Sequence, residues 1–228
     1  MKEDVAAILQ KSPLGRGLTK EDINEILKDK STQIKTYEKG NTIFMEGEKP
    51  SKIFLLVKGN IGVLKGTFSG KRILITNIEH PGELFGEVFL FMEKPIYEMQ
   101  AEALEKSVVL ELQNDNFKES SATGSGIEEL LRRNLMSVFA MKAYRLSSKV
   151  RVLGCTSIRE KIAVYLTEHQ GKDGSLKNIP SREEMADYLS VTRPSLSREL
   201  GNMAKEGIIK MVGREIVITN QDMLEEYL

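Results

Sequence analysis

Ser181-Arg182-Glu183-Glu184-Met185-Ala186-Asp187-Tyr188-Leu189-Ser190-Val191-Thr192-Arg193-Pro194-Ser195-Leu196-Ser197-Arg198-Glu199-Leu200 reads as two short helices joined by a tight turn. Ser181 with Glu184 three residues on is a capping box, so a helix starts there. Met185, Ala186 and Leu189 form its apolar face, and the small Ala186 lets a second helix cross closely. Ser190-Val191 is the turn. Thr192 caps the next helix, and Pro194 falls in its first turn, where a missing N–H costs nothing. Leu196, Leu200 and Met203 recur at i, i+4 and i+7 as the buried stripe. That is a helix-turn-helix. Beyond it, residues 208–212 and 215–218 flank a Gly213-Arg214 turn, a β-hairpin placed as a wing.

The outward residues suit DNA. Arg193 and Arg198 can each donate two hydrogen bonds to guanine O6 and N7. Ser195, Ser197 and Asn202 can bond bases or phosphates, as can Ser181, Arg182 and Thr192 at the helix starts. Lys205 and Arg214 offer charge to the phosphate backbone. Five steps of about 100° put Arg193 and Arg198 about 140° apart, so they cannot read the same base edge. From Arg193 to Arg214 there are five basic and two acidic residues, Glu199 and Glu206. The whole chain, by contrast, carries 33 Lys and Arg against 33 Asp and Glu over 228 residues. DNA binding by bulk charge is excluded, and a local patch is not.

Upstream the pattern differs. Gly154-Cys155-Thr156 ends a long helix that starts near Ile127, and Ser157 with Glu160 caps the next one. In the long helix Ile127, Leu131, Leu135, Val138 and Met141 recur near the 3.5-residue spacing of a coiled-coil seam, with Arg145 following. This stripe exceeds what a small β domain covers, so the expected use is pairing with a second copy, with an ordinary core helix as the alternative. Residues 120–126 are small and polar, a hinge, with Ser125 and Glu128 as a further capping pair. Between Ile34 and Leu112, β-rich runs recur at 42–45, 53–57, 61–65, 73–77 and 108–112, punctuated by glycines, which suggests a sandwich or barrel. Phe68-Ser69-Gly70-Lys71 reads as a hairpin tip. Two short helices, 4–10 and 21–27, precede them, the second capped by Thr19 with Asp22.

The single cysteine, Cys155, excludes a disulfide framework, a Cys-rich zinc site and a Cys-ligated iron–sulfur cluster. No apolar run approaches a membrane span, and no secretory leader opens the chain, so it reads as cytoplasmic.

Taken in order, these units resemble the Crp–Fnr family of bacterial transcription regulators over nearly the whole chain. Lys39-Gly40-Asn41-Thr42-Ile43-Phe44-Met45-Glu46-Gly47-Glu48 is similar to the opening strand and turn of the family's β-roll. Ile53-Phe54-Leu55-Leu56-Val57-Lys58-Gly59-Asn60-Ile61 is similar to the next strand pair. Pro81-Gly82-Glu83-Leu84-Phe85-Gly86-Glu87 is similar to its phosphate-binding cassette. The resemblance implies an α+β fold: an N-terminal double-stranded β-helix (a β-roll, or cupin-like jelly roll; 1–125), a long dimerisation helix (126–153) and a C-terminal winged helix-turn-helix (154–228). It implies a homodimer on a two-fold symmetric operator, its recognition helices about 34 Å apart. It also implies a small-molecule effector bound by Gly82 to Glu87 with Tyr97 and Met99, a shift at the hinge near Gly154, and RNA polymerase as a partner.

Departures narrow this. Cyclic-nucleotide binders of the family carry an Arg-Ser/Thr pair after the cassette; here Glu98 or Met99 stands about there, and a carboxylate repels a phosphate. The effector is therefore expected not to be cyclic AMP. Gly86 and Glu87 also have a purely structural use, as a tight turn and a helix start. The family's oxygen sensors have an N-terminal cysteine cluster that this chain lacks. His80 is a candidate haem ligand and equally an ordinary loop residue; Cys155 is a small hydrophobe or, less simply, a redox group. Pro194 stands where the family often has a cytosine-reading Glu, so Arg198 is expected to read a guanine with altered preference near Pro194. Ser190 stands where glycine is common, which predicts a strained or differently shaped turn.

Two rival readings remain at this point. An enzyme in a cupin-like roll needs converging His and carboxylate ligands, and the chain has only His80 and His169, the latter outside the β region. No nucleophile elbow or P-loop appears, so no catalytic or metal residue is assigned. A cyclic-nucleotide-binding or cupin-like metabolite-binding protein that never reads DNA is the other alternative.

Overall fold

The computed structural model describes residues 2–67, 71–92, 94–113, 117, 126–177 and 179–228. The hairpin tip at 68–70 and the hinge at 120–125, including the Ser125 cap, lie outside the described residues. The chain divides into two units, Met1–Phe139 and Ala140–Leu228. The division falls inside the long helix, whose first half belongs to one unit and second half to the other.

The first unit opens with α1 (Lys2–Lys11), a 3₁₀ turn (Pro13–Gly15) and α2 (Lys20–Lys28), the last started by the Thr19–Asp22 capping box. Eight strands follow: β1 (Thr32–Tyr37), β2 (Thr42–Phe44), β3 (Lys52–Lys58), β4 (Ile61–Gly66), β5 (Arg72–Ile78), β6 (Leu84–Phe85), β7 (Gln100–Ala103) and β8 (Ser107–Gln113), with the short α3 (Glu87–Phe91) between β6 and β7. They form two antiparallel sheets, ordered β1-β8-β3-β6 and β2-β7-β4-β5. This is the expected β-roll. The expected runs match β2, β3, β4, β5 and β8 to within two residues at either end. β1, β6 and β7 carry weak signals: β6 has two residues, and β7 has Ala101 and Ala103 where strands prefer β-branched side chains.

β3 shows why the roll holds. Successive strand residues face opposite sides, and in β3 both sides are buried. Ile53, Leu55 and Val57 pack with α1, α2 and the start of the long helix. Phe54 and Leu56 face the second sheet, with Phe44, Ile61, Phe85, Tyr97, Ala101 and Val109. The run has no polar alternation because neither face is wet.

The long helix α4 (Gly126–Gly154) has the expected extent, but its apolar stripe requires a correction. Leu131 and Leu135 are 2% exposed and Val138 is 7% exposed, all within the protomer's own core. Ile127 packs against the same cluster. These four residues do not form a free seam for a second copy. The helices α1 and α2 supply the covering surface that the β-strands alone lack. Asn134, buried on the same turns, donates from Nδ2 to the Leu14 and Arg16 carbonyls at 2.8 and 2.7 Å, tying α4 to the 3₁₀ turn. Met141 and Arg145 are exposed. The unpartnered face lies elsewhere: Met136, Ala140, Ala143, Ser147 and Val150 are all exposed at alternating four- and three-residue steps. Leu146 and Leu153 flank them, 66% and 53% exposed.

The second unit contains the rest of α4, then α5 (Ile158–His169), β9 (Ser175–Leu176), α6 (Arg182–Leu189), α7 (Arg193–Lys205), β10 (Ile209–Val212), β11 (Glu215–Ile218) and α8 (Gln221–Glu225). Its core gathers Val152, Ile162, Leu166, Met185, Leu189, Leu196, Leu200, Met203 and Ile216. The capping boxes at Ser157 and Ser181 form with Glu160 and Glu184. The wing has a third strand, β9, paired to β11 and too short to announce itself. No helix among the described residues is long and apolar enough to cross a membrane.

Candidate nucleic-acid interface

α6, the turn and α7 form as expected. Thr192 Oγ1 accepts from the Ser195 N–H at 3.4 Å and donates to Ser195 Oγ at 2.9 Å, with Pro194 in the first turn of α7. Ser190 adopts φ 53° and ψ 52°, the one non-glycine residue with positive φ among the described residues. The strain expected from a serine in a glycine position is present.

The sequence-predicted DNA residues divide by exposure. Ser181, Thr192, Arg193, Ser197, Arg198, Lys205 and Arg214 are exposed. Arg193 lies 3.6 Å from Glu183 in an exposed pair, which contributes little and yields easily to a phosphate. Ser195 and Asn202 are half-buried, Ser195 in the cap and Asn202 donating to Glu199 at 3.3 Å. Arg182 is turned toward the wing, where Nη2 donates to Met211 Sδ at 3.0 Å, and burial pulls its pKa down.

The acidic residues of this stretch are accounted for by a residue that the sequence did not single out. Arg159, on α5, donates from Nε to Glu199 at 2.5 Å and through both Nη atoms to Glu206 at 2.7 and 2.8 Å. It also donates to the Tyr227 hydroxyl at 3.1 Å and lies over that ring. Hydrogen bonds from Arg159 hold the Glu206 carboxyl below its usual range and raise the guanidinium itself. Glu199 in α7 and Glu206 at its C-cap are thus both paired with α5, and the exposed side of the helix keeps Arg193, Arg198 and Lys205. Partners 40 and 47 residues apart give no local sequence signal.

The cassette in the first unit is built tightly. Gly82 (φ 92°) donates its N–H to the Leu56 carbonyl at 2.7 Å. Glu83 accepts the backbone N–H groups of Glu79 and His80, both at 3.1 Å, closing the turn. Gly86 has φ 80°, and a Cβ there would lie 2.8 Å from the Phe54 ring, so glycine is required by space and conformation together. Leu84 and Phe85 point into opposite cores, as neighbours in a strand must. Glu87 is buried at the start of α3. Tyr97 is 2% exposed and stacks on Phe44 with centroids 4.0 Å apart, while Phe89 meets its edge at 5.4 Å. Burial raises its phenol pKa, as does the Glu48 charge. Met99 is half-buried. The interior beside the cassette is therefore aromatic.

Nearby cations already hold carboxylates. Lys65 pairs with Glu46 at 3.2 Å, Lys94 with Glu98 at 2.8 Å, and Arg72 with Glu102. The Lys94 hydrogen bond draws the Glu98 pKa down, so Glu98 stays ionised. His80 is exposed on the turn. Cys155 is half-buried, its thiol hydrogen-bonded to the Arg151 carbonyl at 3.4 Å and pushed up in pKa by burial.

A β-roll followed by a long helix and a winged helix-turn-helix with an outward basic face defines a class: DNA-binding regulators with separate sensing and reading units. Comparison with known proteins agrees. Residues 34–123 match the cyclic nucleotide-binding domain model, and residues 160–227 match the Crp-like helix-turn-helix domain model. The chain is 29% identical over 220 residues to the anaerobic regulatory protein of Bacillus subtilis strain 168, covering 93% of this chain and 90% of that one. It is 26% identical over 217 residues to the cyclic AMP receptor protein of Thermus thermophilus, covering 94% and 96%. The crystal structure of DNR from Pseudomonas aeruginosa has the same fold at a TM-score of 0.52 and 21% identity, covering 97% of this chain and 96% of that one. The chain belongs to the Crp/Fnr family of transcription regulators.

Proposed function

We propose that this regulator acts as a cytoplasmic homodimer on a two-fold symmetric operator, with Arg198 reading a guanine in each half-site. Arg193, Ser197, Lys205 and Arg214 contact backbone or flanking bases, and the protein is not an enzyme. The second copy pairs along Met136, Ala140, Ala143 and Val150 of α4, the face left open in the protomer, beside Met141 and Arg145. Functionally, residues 1–125 sense, 126–153 join the copies and 154–228 read. The bound operator presents the protein to RNA polymerase.

The observation that carries this reading is the outward basic face of α7, with Glu199 in it and Glu206 at its C-cap both tied to Arg159. The experiment is selection of duplexes from a random-sequence pool, followed by titration of the enriched duplex. A palindromic site with a guanine in each half, and affinity that falls steeply with salt, is the expected result. Binding without an enriched site overturns it.

The effector occupies the β-roll and is not cyclic AMP. About where the family's phosphate-binding Arg would stand, Glu98 is ionised and bonded to Lys94, and a carboxylate repels a phosphate. The expected outcome is an unchanged melting temperature in millimolar cyclic AMP; a ligand in hundredfold excess over its Kd would add about 2.7 kcal/mol. Such a shift would overturn this part alone.

A further inference from the structure

We infer that Lys149, on the long helix, is a positioning residue that holds the turn of the helix-turn-helix, and with it the start of the recognition helix, in its reading conformation. The inference rests on the proposed DNA reading for its functional consequence and on the second unit's geometry for its substance.

α6 ends at Ser190 in the left-handed region. A serine there is strained where glycine would not be, and the last carbonyls of a helix have no partners within it. Lys149 meets both needs. Its Nζ donates to the Tyr188 carbonyl, to the Asp187 carbonyl at 3.3 Å and to Ser190 Oγ at 3.1 Å. It also lies 5.2 Å from the centre of the Tyr188 ring. Lys161, on α5, donates to the intervening Leu189 carbonyl at 3.2 Å. Residues 187 to 190 are thus held without a gap by two ammonium groups, at the helix end where a cation is favoured. Burial and the Lys161 charge draw the Lys149 pKa down, while Asp187 opposes them.

The consequence reaches α7 through the backbone. Val191 donates to the Ala186 carbonyl at 3.0 Å, and Thr192, the next residue, is the cap of α7. The conformation of Ser190 therefore sets where α7 begins. Three residues beyond Lys149, Val152 is fully buried in the core of this unit, so the lysine is anchored at its own base. Within this unit, Lys149 joins the helix that carries the open apolar face to the turn that aims the reading helix.

The test is a double-mutant cycle between Lys149→Met and Ser190→Gly. K149M protein with wild-type circular dichroism and sedimentation is expected to bind the enriched duplex about tenfold more weakly, with the slope of affinity against salt unchanged. S190G alone should bind within about threefold of wild type, yet restore most of the loss in the K149M background, because glycine holds the turn without the lysine. Hydrogen exchange at the Ser190 and Val191 amides reads the same effect without DNA: about tenfold faster in K149M and slowed again in the double variant. Unchanged exchange overturns the inference whether or not the protein binds DNA. A salt slope smaller by about one overturns it in favour of a direct phosphate contact, and equal S190G effects in both backgrounds overturn the link to the turn. Failure of the wild-type protein to enrich any duplex, with exchange as expected, sinks the DNA reading and leaves the held turn standing.

Discussion

The two units place their charges in opposite ways. In the winged-helix unit Arg159 pairs with Glu199 and Glu206, and the recognition helix presents arginines and a lysine to solvent. In the β-roll unit Lys65, Lys94, Arg72 and Lys106 each sit against a carboxylate, and the interior is lined with aromatic rings. On the recognition helix Arg198 and Lys205 are exposed, while these four cations of the roll each meet a carboxylate. A neutral chain thus carries a local basic face on its recognition helix. The lesson is that the partner of each cation, rather than the number of cations, decides what a surface can bind.

The largest effect that would sharpen this contrast lies in the long helix. Leu135→Ala should destabilise the β-roll unit by about 2–5 kcal/mol, measured by denaturant unfolding, because the side chain is packed in the protomer's own core. Val150→Asp, on the exposed face of the same helix, should leave protomer folding intact and abolish the dimer in sedimentation. Equal effects of the two on protomer folding would break the division of α4 into an inward and an outward face.

Arg198→Ala should come next, costing about 1–3 kcal/mol per half-site and relaxing specificity at one base pair. A variant that keeps the same site and specificity would remove Arg198 from base reading. Arg159→Ala tests the neutralised helix: losing charged hydrogen bonds to Glu199 should cost about 1.5–3 kcal/mol of stability in the second unit. It should also weaken DNA binding at low salt, since two carboxylates are then released beside the phosphates. Unchanged low-salt affinity would show that the acids never mattered to the outer face.

The smallest effect is the acid limb of the first unit. Burial pushes the Glu111 carboxyl up, but hydrogen bonds from Lys52 at 2.7 Å and Tyr37 at 2.5 Å outweigh it, so its pKa is lowered on folding. A lowered carboxylate contributes stability above its ordinary pKa of about 4.3 and loses it as pH falls through the folded value. Glu111→Gln should therefore lower the melting temperature at neutral pH and flatten its decline below about pH 4. An acid limb as steep as in the unaltered protein would move the cause to other carboxylates.

The winged helix was legible in sequence because its signals are local. Capping boxes at Ser157 and Ser181, the Thr192 cap and the Gly213 turn each lie within three or four residues of what they control. The β-roll was legible as a class, but β1 pairs with β8 seventy to eighty residues away, and no short window of sequence contains both. The seam on α4 shows the limit most sharply. The spacing of Leu131, Leu135 and Val138 correctly gave a buried face and could not say whether this chain or a second copy buries it.

Sequence by itself determined the helix-turn-helix with its wing, the strained serine turn, the long helix and the absence of any cysteine framework, because each depends on neighbouring residues or on counting. Tertiary structure alone decided which face of the long helix stays open, that the roll interior beside the cassette is aromatic, and that Arg159 and Lys149 hold the reading helix from behind. The Arg159 and Lys149 contacts join side chains about forty positions apart, and the aromatic cluster gathers rings from four separate elements and a loop, so packing and charge pairing select the partners.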